Sequence, residues 1–239
     1  MVTMLTMTHK FEHREGTQDR PAFEEVVLQN CYHLPHFLSR DDIIIDGGAH
    51  IGSFTVACAG RGAGTIYAFE PDPANYRMLV KNTHGLLGVH TERKALWRSD
   101  KTEQLYFSGY TPRATACGTV MHDCTVGGQN QHIPVESVAL DEVILKATDH
   151  GKRSIRLLKL DIEAAEFVVL GTSQCLHLVQ EIVGEAHDLE GYPEKCKVPV
   201  FKNYDHEELC EFLGDNGFNV TFKTEPSYPK QGVFVARRA

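Results

Sequence analysis

Three β-branched residues run into an acid and a glycine turn at Ile43-Ile44-Ile45-Asp46-Gly47-Gly48-Ala49-His50-Ile51-Gly52, and no other stretch constrains this chain as much. A fully apolar run of this kind suits a parallel strand covered on both faces. The glycines behind it permit the tight turn from which a helix starts, expected over residues 53–59. A second apolar run, residues 65–69, then ends in Glu70. Strand, glycine turn, helix, strand, acid is the order in which an open α/β sheet holds an adenosine-bearing ligand.

Charge separates the candidate ligands. A dinucleotide would set its pyrophosphate against the turn, where backbone N–H groups and a helix start favour an anion. Asp46 at the mouth of the turn repels that group and suits a cation such as S-adenosylmethionine, which carries a sulfonium and an ammonium. Ala49 also stands where the dinucleotide pattern has its second glycine. A methyl-donor site is therefore expected, with Asp46, Gly48, Ala49, His50, Gly52, Ser53, Glu70 and Pro71 around the cofactor. Glu70 can accept two hydrogen bonds from a ribose diol through its two carboxylate oxygens.

The rest of the chain alternates helix and strand. Residues 1–40 read as an extension, polar and expected to be disordered to about residue 20, with a short helical lead-in over residues 21–38. Residues 41–239 read as one α/β domain. Asp72 is a good N-cap with Pro73 at the first helical position. A third strand is expected over residues 89–96, a hairpin-like stretch over 105–138, a helix over 140–147 and a fourth strand over 155–160. A helix is expected over 163–170, a fifth strand over 179–186, and a helix capped by Asp205 and Glu208 and stopped by Gly217. Strands at 219–223 and 232–236 then close the chain as an antiparallel pair. The expected fold is a doubly wound, mostly parallel seven-stranded sheet with a reversed edge strand.

In such sheets ligands bind at the carboxyl ends of the strands, beside the switch in strand order. Asp161 emerges at one strand end, with Glu163 close behind it. Both point to the active site, whereas Glu166 is expected only to complement a helix dipole. Glu185, His187 and Asp188 end the neighbouring strand. His187 is the candidate base for a substrate hydroxyl, because imidazole titrates nearest neutrality.

The ordered set of segments resembles the FkbM family of S-adenosylmethionine-dependent methyltransferases. It comprises Ile45 to Thr55, Phe69-Glu70-Pro71-Asp72-Pro73 with Leu79 and Asn82, Val138-Ala139-Leu140-Asp141-Glu142, and Leu158-Lys159-Leu160-Asp161-Ile162-Glu163-Ala164-Ala165-Glu166. The resemblance runs over residues 40 to 190. It implies a class I methyltransferase (Rossmann-like) fold, with the glycine turn and Glu70 holding the cofactor and S-adenosylhomocysteine as product. O-methylation of a sugar, a polyketide or another small metabolite is what it implies by default. Two residues depart from the family pattern, His50 in place of asparagine and Ala164 in place of glycine.

Rival readings remain. Asp161, Glu163, Glu185 and His187 would suit Mg²⁺ or another divalent ion against a diol, though a metal is not the favoured expectation. Methylation of a nitrogen or a carboxylate is a further alternative, and so is a scaffold that binds cofactor without turnover. A nicotinamide oxidoreductase is disfavoured by Asp46, by Ala49 and by the lack of a Tyr-x-x-x-Lys pair. The net charge of −8 argues against nonspecific nucleic-acid binding. No apolar run is long enough to span a membrane, and residues 1–10 do not read as a secretory signal. The seven cysteines are scattered. Cys117 and Cys124 with His122 and His132 match no standard zinc spacing, so free thiols and a cytoplasmic setting are expected. Tyr106, Phe107, Tyr110, Tyr192 and Phe201 are candidates for an acceptor pocket, with ordinary packing the favoured reading.

Overall fold

The computed structural model describes residues 11–108, 115–116, 118–121, 132–188, 192–225 and 228–239. In chain order the elements are α1 (Asp19–Phe23), continued by a π turn over Glu24–Leu28, then β1 (Ile43–Gly47), α2 (Ser53–Gly60), β2 (Thr65–Phe69), α3 (Pro73–Thr83) and β3 (Val89–Glu92). There follow β4 (Lys94–Trp97), β5 (Leu105–Ser108), β6 (His132–Ala139), α4 (Leu140–Ala147), β7 (Leu157–Leu160) and α5 (Glu166–Gly171). The chain closes with β8 (Glu181–His187), α6 (His206–Asp215), β9 (Phe218–Glu225) and β10 (Tyr228–Arg238).

Seven strands form the main sheet in the order β3-β2-β1-β7-β8-β10-β9. All pairs from β3 to β8 are parallel, and β10 runs antiparallel to both β8 and β9. The single reversal thus falls in the closing hairpin at that edge, as the sequence leads one to expect. Strand order switches between β1 and β7. From there the chain winds out to β3 on one side and to β8 on the other, which opens a crevice at the carboxyl ends of β1, β2 and β7.

The apolar run of β1 packs as its period requires. Ile43 and Ile45 belong to the large core on one face, together with Leu158, Leu160 and Ile182. Ile44 lies in the opposite core with Ile66, Leu157 and Val183. Successive side chains of a strand point to opposite faces, so a strand with helices on both sides must be apolar at every position. Each such side chain contributes about 1.5–3 kcal/mol on burial.

Three expectations are corrected. Residues 89–96 are two strands: β3 stays in the main sheet, while β4 crosses to a separate three-stranded sheet with β6 and β5. The half-exposed Val89–Glu92 suits an edge, and the buried Ala95, Leu96 and Trp97 need cover on both sides. Second, the helix expected from residue 163 begins at Glu166, because Glu163 and Ala164 have left-handed φ values of 55° and 73°. Third, residues 11–20 are packed: Asp19 is fully buried and bound by Arg14. The turn signals at Gly109, Pro112 and Gly127-Gly128 and residues 1–10 lie outside the described residues, as do Tyr110, Cys117, His122 and Cys124. Cys31, Cys58, Cys175, Cys196 and Cys210 are free thiols. No helix among the described residues is long and apolar enough to cross a membrane.

Candidate active site

The glycine turn is shaped by three left-handed residues, Gly48 at φ 72°, His50 at 51° and Gly52 at 96°. A Cβ on Gly48 would stand 1.9 Å from the carbonyl oxygen of Asp161, so the approach of β1 to β7 excludes any side chain there. The Gly48 and Ala49 N–H groups both donate to the Phe69 carbonyl, at 3.1 and 2.9 Å, which ties the turn to the end of β2.

Beneath the turn lies a buried charge pair. Asp46 is fully buried, and its Oδ2 accepts a 2.6 Å hydrogen bond from Thr55. Its Oδ1 has no hydrogen bond, although Lys159 Nζ stands 3.4 Å away. Lys159 donates to the Gly48 carbonyl at 2.6 Å and the Gly47 carbonyl at 3.1 Å. Burial opposes its charge, but Asp46 and Asp161 outweigh that and raise its pKa. Asp46 therefore supports the turn from below and is not among the residues that line the cleft. Gly52 is likewise off the wall, packed against Leu79.

Gly48, Ala49, His50, Ser53, Glu70 and Pro71 all line one cleft of about 820 Å³, open mouth included. Glu70 sits where β2 ends. Its Oε2 accepts from the His50 N–H and its Oε1 from the Asp72 N–H, each at 2.8 Å. Burial pushes its pKa up to about 8, against the pull of those two backbone donors. Asp72 in turn caps α3, its side chain accepting from the Ala74 and Asn75 N–H groups at 2.8 and 2.7 Å.

The cleft also takes walls from the N-terminal segment, including Ala22, Val26 and Tyr32, and from Thr115 and Ala116. His50 Nε2 is 3.2 Å from Thr115 Oγ1 and 3.4 Å from Asp19 Oδ1. Asp19 is gripped by Arg14 through its backbone N–H, Nε and guanidinium Nη2 at 2.8–2.9 Å. Burial alone would raise the Asp19 pKa, yet contacts with His50 and Arg14 hold it well below the usual carboxylate range. Arg14 also donates to Asn75 at 2.6 Å, which fastens the segment to α3.

At the other end of the cleft, Asp161 and Glu163 line the wall and His187 stands buried behind them. β7 and β8 are parallel neighbours, with Leu160 beside Gly184, so their carboxyl ends bring Asp161 and His187 together. Asp161 Oδ2 accepts from the Tyr32 hydroxyl at 2.8 Å. His187 Nε2 lies 3.7 Å from Glu163 and 3.5 Å from Glu185, and its Nδ1 lies 3.5 Å from Glu166. Burial would lower the imidazole pKa, but Glu163 and Glu166 with Glu185 outweigh it and hold it well above the usual value. Burial, helped by Asp161 and the other acids, pushes Glu163 up to about 8 against the opposing pull of His187. Glu166 does more than complement a helix end. It is fully buried, and its Oε1 accepts from the Ile162 N–H at 2.7 Å, closing the turn that aims Glu163.

The aromatic candidates divide. Phe107 lines the cleft. Tyr192 and Phe201 instead pack with Phe167 and Tyr204 in the core, Tyr192 stacking on Tyr204 at 3.8 Å. Lys159, Tyr32 and Asp19 were not among the expected site residues. Lys159 had a signal, a lone cation in the middle of an otherwise apolar strand, Leu157–Leu160.

The cleft lies at the switch point of the sheet, where open α/β folds bind their ligands. Residues 46–220 match the family model described as the Methyltransferase FkbM domain. The chain belongs to that family and is an S-adenosylmethionine-dependent methyltransferase. It is 27% identical over 183 residues to Methyltransferase 1 of Beauveria bassiana (strain ARSEF 2860), covering 70% of this chain and 73% of that protein. It is 27% identical over 244 residues to Methyltransferase sdnD of Sordaria araneosa, covering 90% and 88%. Among solved structures, a precorrin-6y C5,15-methyltransferase of Geobacter metallireducens GS-15 aligns over 96% of this chain and 95% of its own, with 12% identity and a TM-score of 0.48.

Proposed function

We propose that this methyltransferase alkylates a hydroxyl oxygen of a small molecule, a sugar, a polyketide or another natural-product intermediate. One observation carries the proposal: a single cleft is lined by the buried carboxyl of Glu70 at the end of β2 and by the acids Asp161 and Glu163 beyond the end of β7. The cofactor fits the near end, where Gly48 to Ser53 offer backbone and Glu70 presents a buried carboxylate. When bound, S-adenosylmethionine supplies a methyl group already activated on sulfonium. The protein's task is then to orient an oxygen nucleophile in line with that methyl, to exclude water and to take up a proton.

Each residue has a part. Glu70 accepts the ribose hydroxyls, and His50 and Ser53 border the methionine end. Asp161 accepts the hydrogen bond of the acceptor hydroxyl and receives its proton as the new C–O bond forms, with Glu163 beside it on the cleft wall. His187 lies 3.5–3.7 Å from three acids, which favour its charged form while no other cation is bound among them. Its role becomes positioning Glu163 and balancing charge, not removing the proton itself.

Calorimetric titration with S-adenosylmethionine, S-adenosylhomocysteine and NADH tests the cofactor assignment. Saturable binding of the two sulfur compounds is expected, weakened more than about tenfold in Glu70→Ala, a loss of about 1.4 kcal/mol or more. A panel of hydroxylated acceptors with methyl-labelled donor then tests the chemistry by mass spectrometry. Label on nitrogen or carboxylate would overturn the O-methyl reading, and binding without turnover on any acceptor would favour the scaffold.

A further inference from the structure

We infer that Asp161, Glu163 and His187 form a divalent-cation site of the Mn²⁺ or Mg²⁺ class, and that the acceptor is a molecule with two adjacent oxygens, a vicinal diol or a hydroxy-carbonyl. One ligand atom from each of the three lies within 4.8 Å of the others. An octahedral ion with bonds of about 2.1 Å sets opposite ligand atoms about 4.2 Å apart, so a small inward movement completes the set.

The histidine is what raises this above a patch of acids. Its ring is only 5% exposed, and Nδ1 has no hydrogen-bond partner. Nε2 is aimed between the Glu163 and Glu185 carboxylates. Behind the ring, Glu166 faces Nδ1 at 3.5 Å, and its Oε2 is also without a partner. A carboxylate behind an imidazole is how proteins fix a ligand ring, with Nδ1–H donated backward and the Nε2 lone pair left for the ion. Asp161 is similarly steadied by the Tyr32 hydroxyl at 2.8 Å. The charges agree. Asp161, Glu163, Glu166 and Glu185 are grouped around His187, with Lys159 Nζ 3.8 Å from Asp161. With His187 neutral as a ligand, these acids outnumber the neighbouring cation Lys159, and a divalent ion offsets the excess of negative charge.

Three protein ligands leave about three positions open on an octahedral ion. Asp161 and Glu163 line the cleft, so those positions face the space the acceptor enters. Two neighbouring oxygens fill two of them, and the ion lowers the pKa of the hydroxyl it holds. This use of the ion rests on the proposed methyl transfer, whereas its binding does not.

Titration of the chelator-treated full chain with MnCl₂, followed by calorimetry and by loss of the free Mn²⁺ paramagnetic signal, tests the site. One Mn²⁺ per chain is expected. Glu163→Gln and His187→Gln should each weaken it by about a hundredfold and Glu166→Gln by about tenfold. S-adenosylhomocysteine affinity and circular dichroism serve as folding controls, and Asp161→Asn replaces any variant that fails them. No saturable Mn²⁺ binding, or binding indifferent to these substitutions, would overturn the inference and leave His187 as the cluster's own counter-charge. Methyl transfer at full rate in chelator would also overturn it while sparing the proposed function. Mn²⁺ binding that depends on these residues, without methyl transfer to any hydroxylated acceptor, would uphold the cation site and overturn both the diol acceptor and the proposed function.

Discussion

The two ends of the cleft are built from different materials. At the cofactor end the walls are largely backbone. Gly48 and Ala49 bond to Phe69, His50 and Asp72 bond to Glu70, and both Glu70 oxygens are occupied before any ligand arrives. At the other end, ionisable side chains gather from the ends of two strands, β7 and β8, and Glu166 and His187 each keep a buried atom without a partner. Backbone geometry is set by the fold and tolerates one ligand shape. Side-chain charge is completed by whatever binds. Under the proposed function, the near end is the one expected to hold the cofactor and the far end the one expected to set acceptor specificity.

The sharpest way to break this division is Lys159, which lies under both ends. Lys159→Met removes two donors to the turn and leaves Asp46 buried without its counter-charge, so a loss of about 3–5 kcal/mol in unfolding free energy is expected. Denaturant titration checks it. The double variant with Asp46→Asn should recover part of the loss, because the orphaned charge goes too. Next comes Gly48→Ala, where a positive φ and the contact with the Asp161 carbonyl combine. A cost of roughly 3 kcal/mol is expected, with cofactor affinity and Asp161 placement both lost, read by thermal unfolding and calorimetry. If either end survived this change intact, the coupling between them would be refuted.

Arg14→Ala acts on one end only. It removes charge-assisted bonds to buried Asp19 and should cost about 1.5–3 kcal/mol while speeding release of S-adenosylhomocysteine. Stopped-flow displacement reads the rate. An unchanged rate would detach residues 11–23 from the cofactor. The smallest expected effect is Glu70→Gln, a loss of cofactor affinity of about tenfold with Mn²⁺ binding unmoved. This variant also carries a pH signature. A carboxyl whose pKa is raised to about 8 on folding contributes stability that is fully present below its unfolded value near 4.5. That contribution is lost as pH rises to about 8. The glutamine variant lacks the term, so its melting temperature should rise relative to the parent between pH 4.5 and 8. A constant difference across that range would mean that Glu70 ionises freely in the fold.

Much of the main sheet was legible in the chain. The run 65–69 and the helix 140–147 are found at those bounds, and Asp72 and Pro73 begin α3 as their chemistry requires. These features depend on neighbours in sequence. The break at Arg93 was not legible, because β3 and β4 are short and lie one residue apart, and only partners elsewhere separate them. The helix start at Glu166 was hidden for a related reason. Glu163 and Ala164 take left-handed φ values that no propensity favours, held by the Thr119 hydroxyl on the Glu163 carbonyl and by Glu166 on Ile162.

The sequence by itself determined the alternation of strand and helix, the glycine turn, Glu70 and the acids at the end of β7. Period and turn chemistry are local, and a strand that ends in an acid carries that acid to the sheet edge. Tertiary structure alone decided that Asp46 lies under the turn with Lys159, that Tyr32 crosses from the N-terminal segment into the cleft while Asp19 reaches His50, and that three carboxylates surround His187. Those facts depend on which distant strands become neighbours. A buried charge is stable only beside partners that sequence order does not reveal.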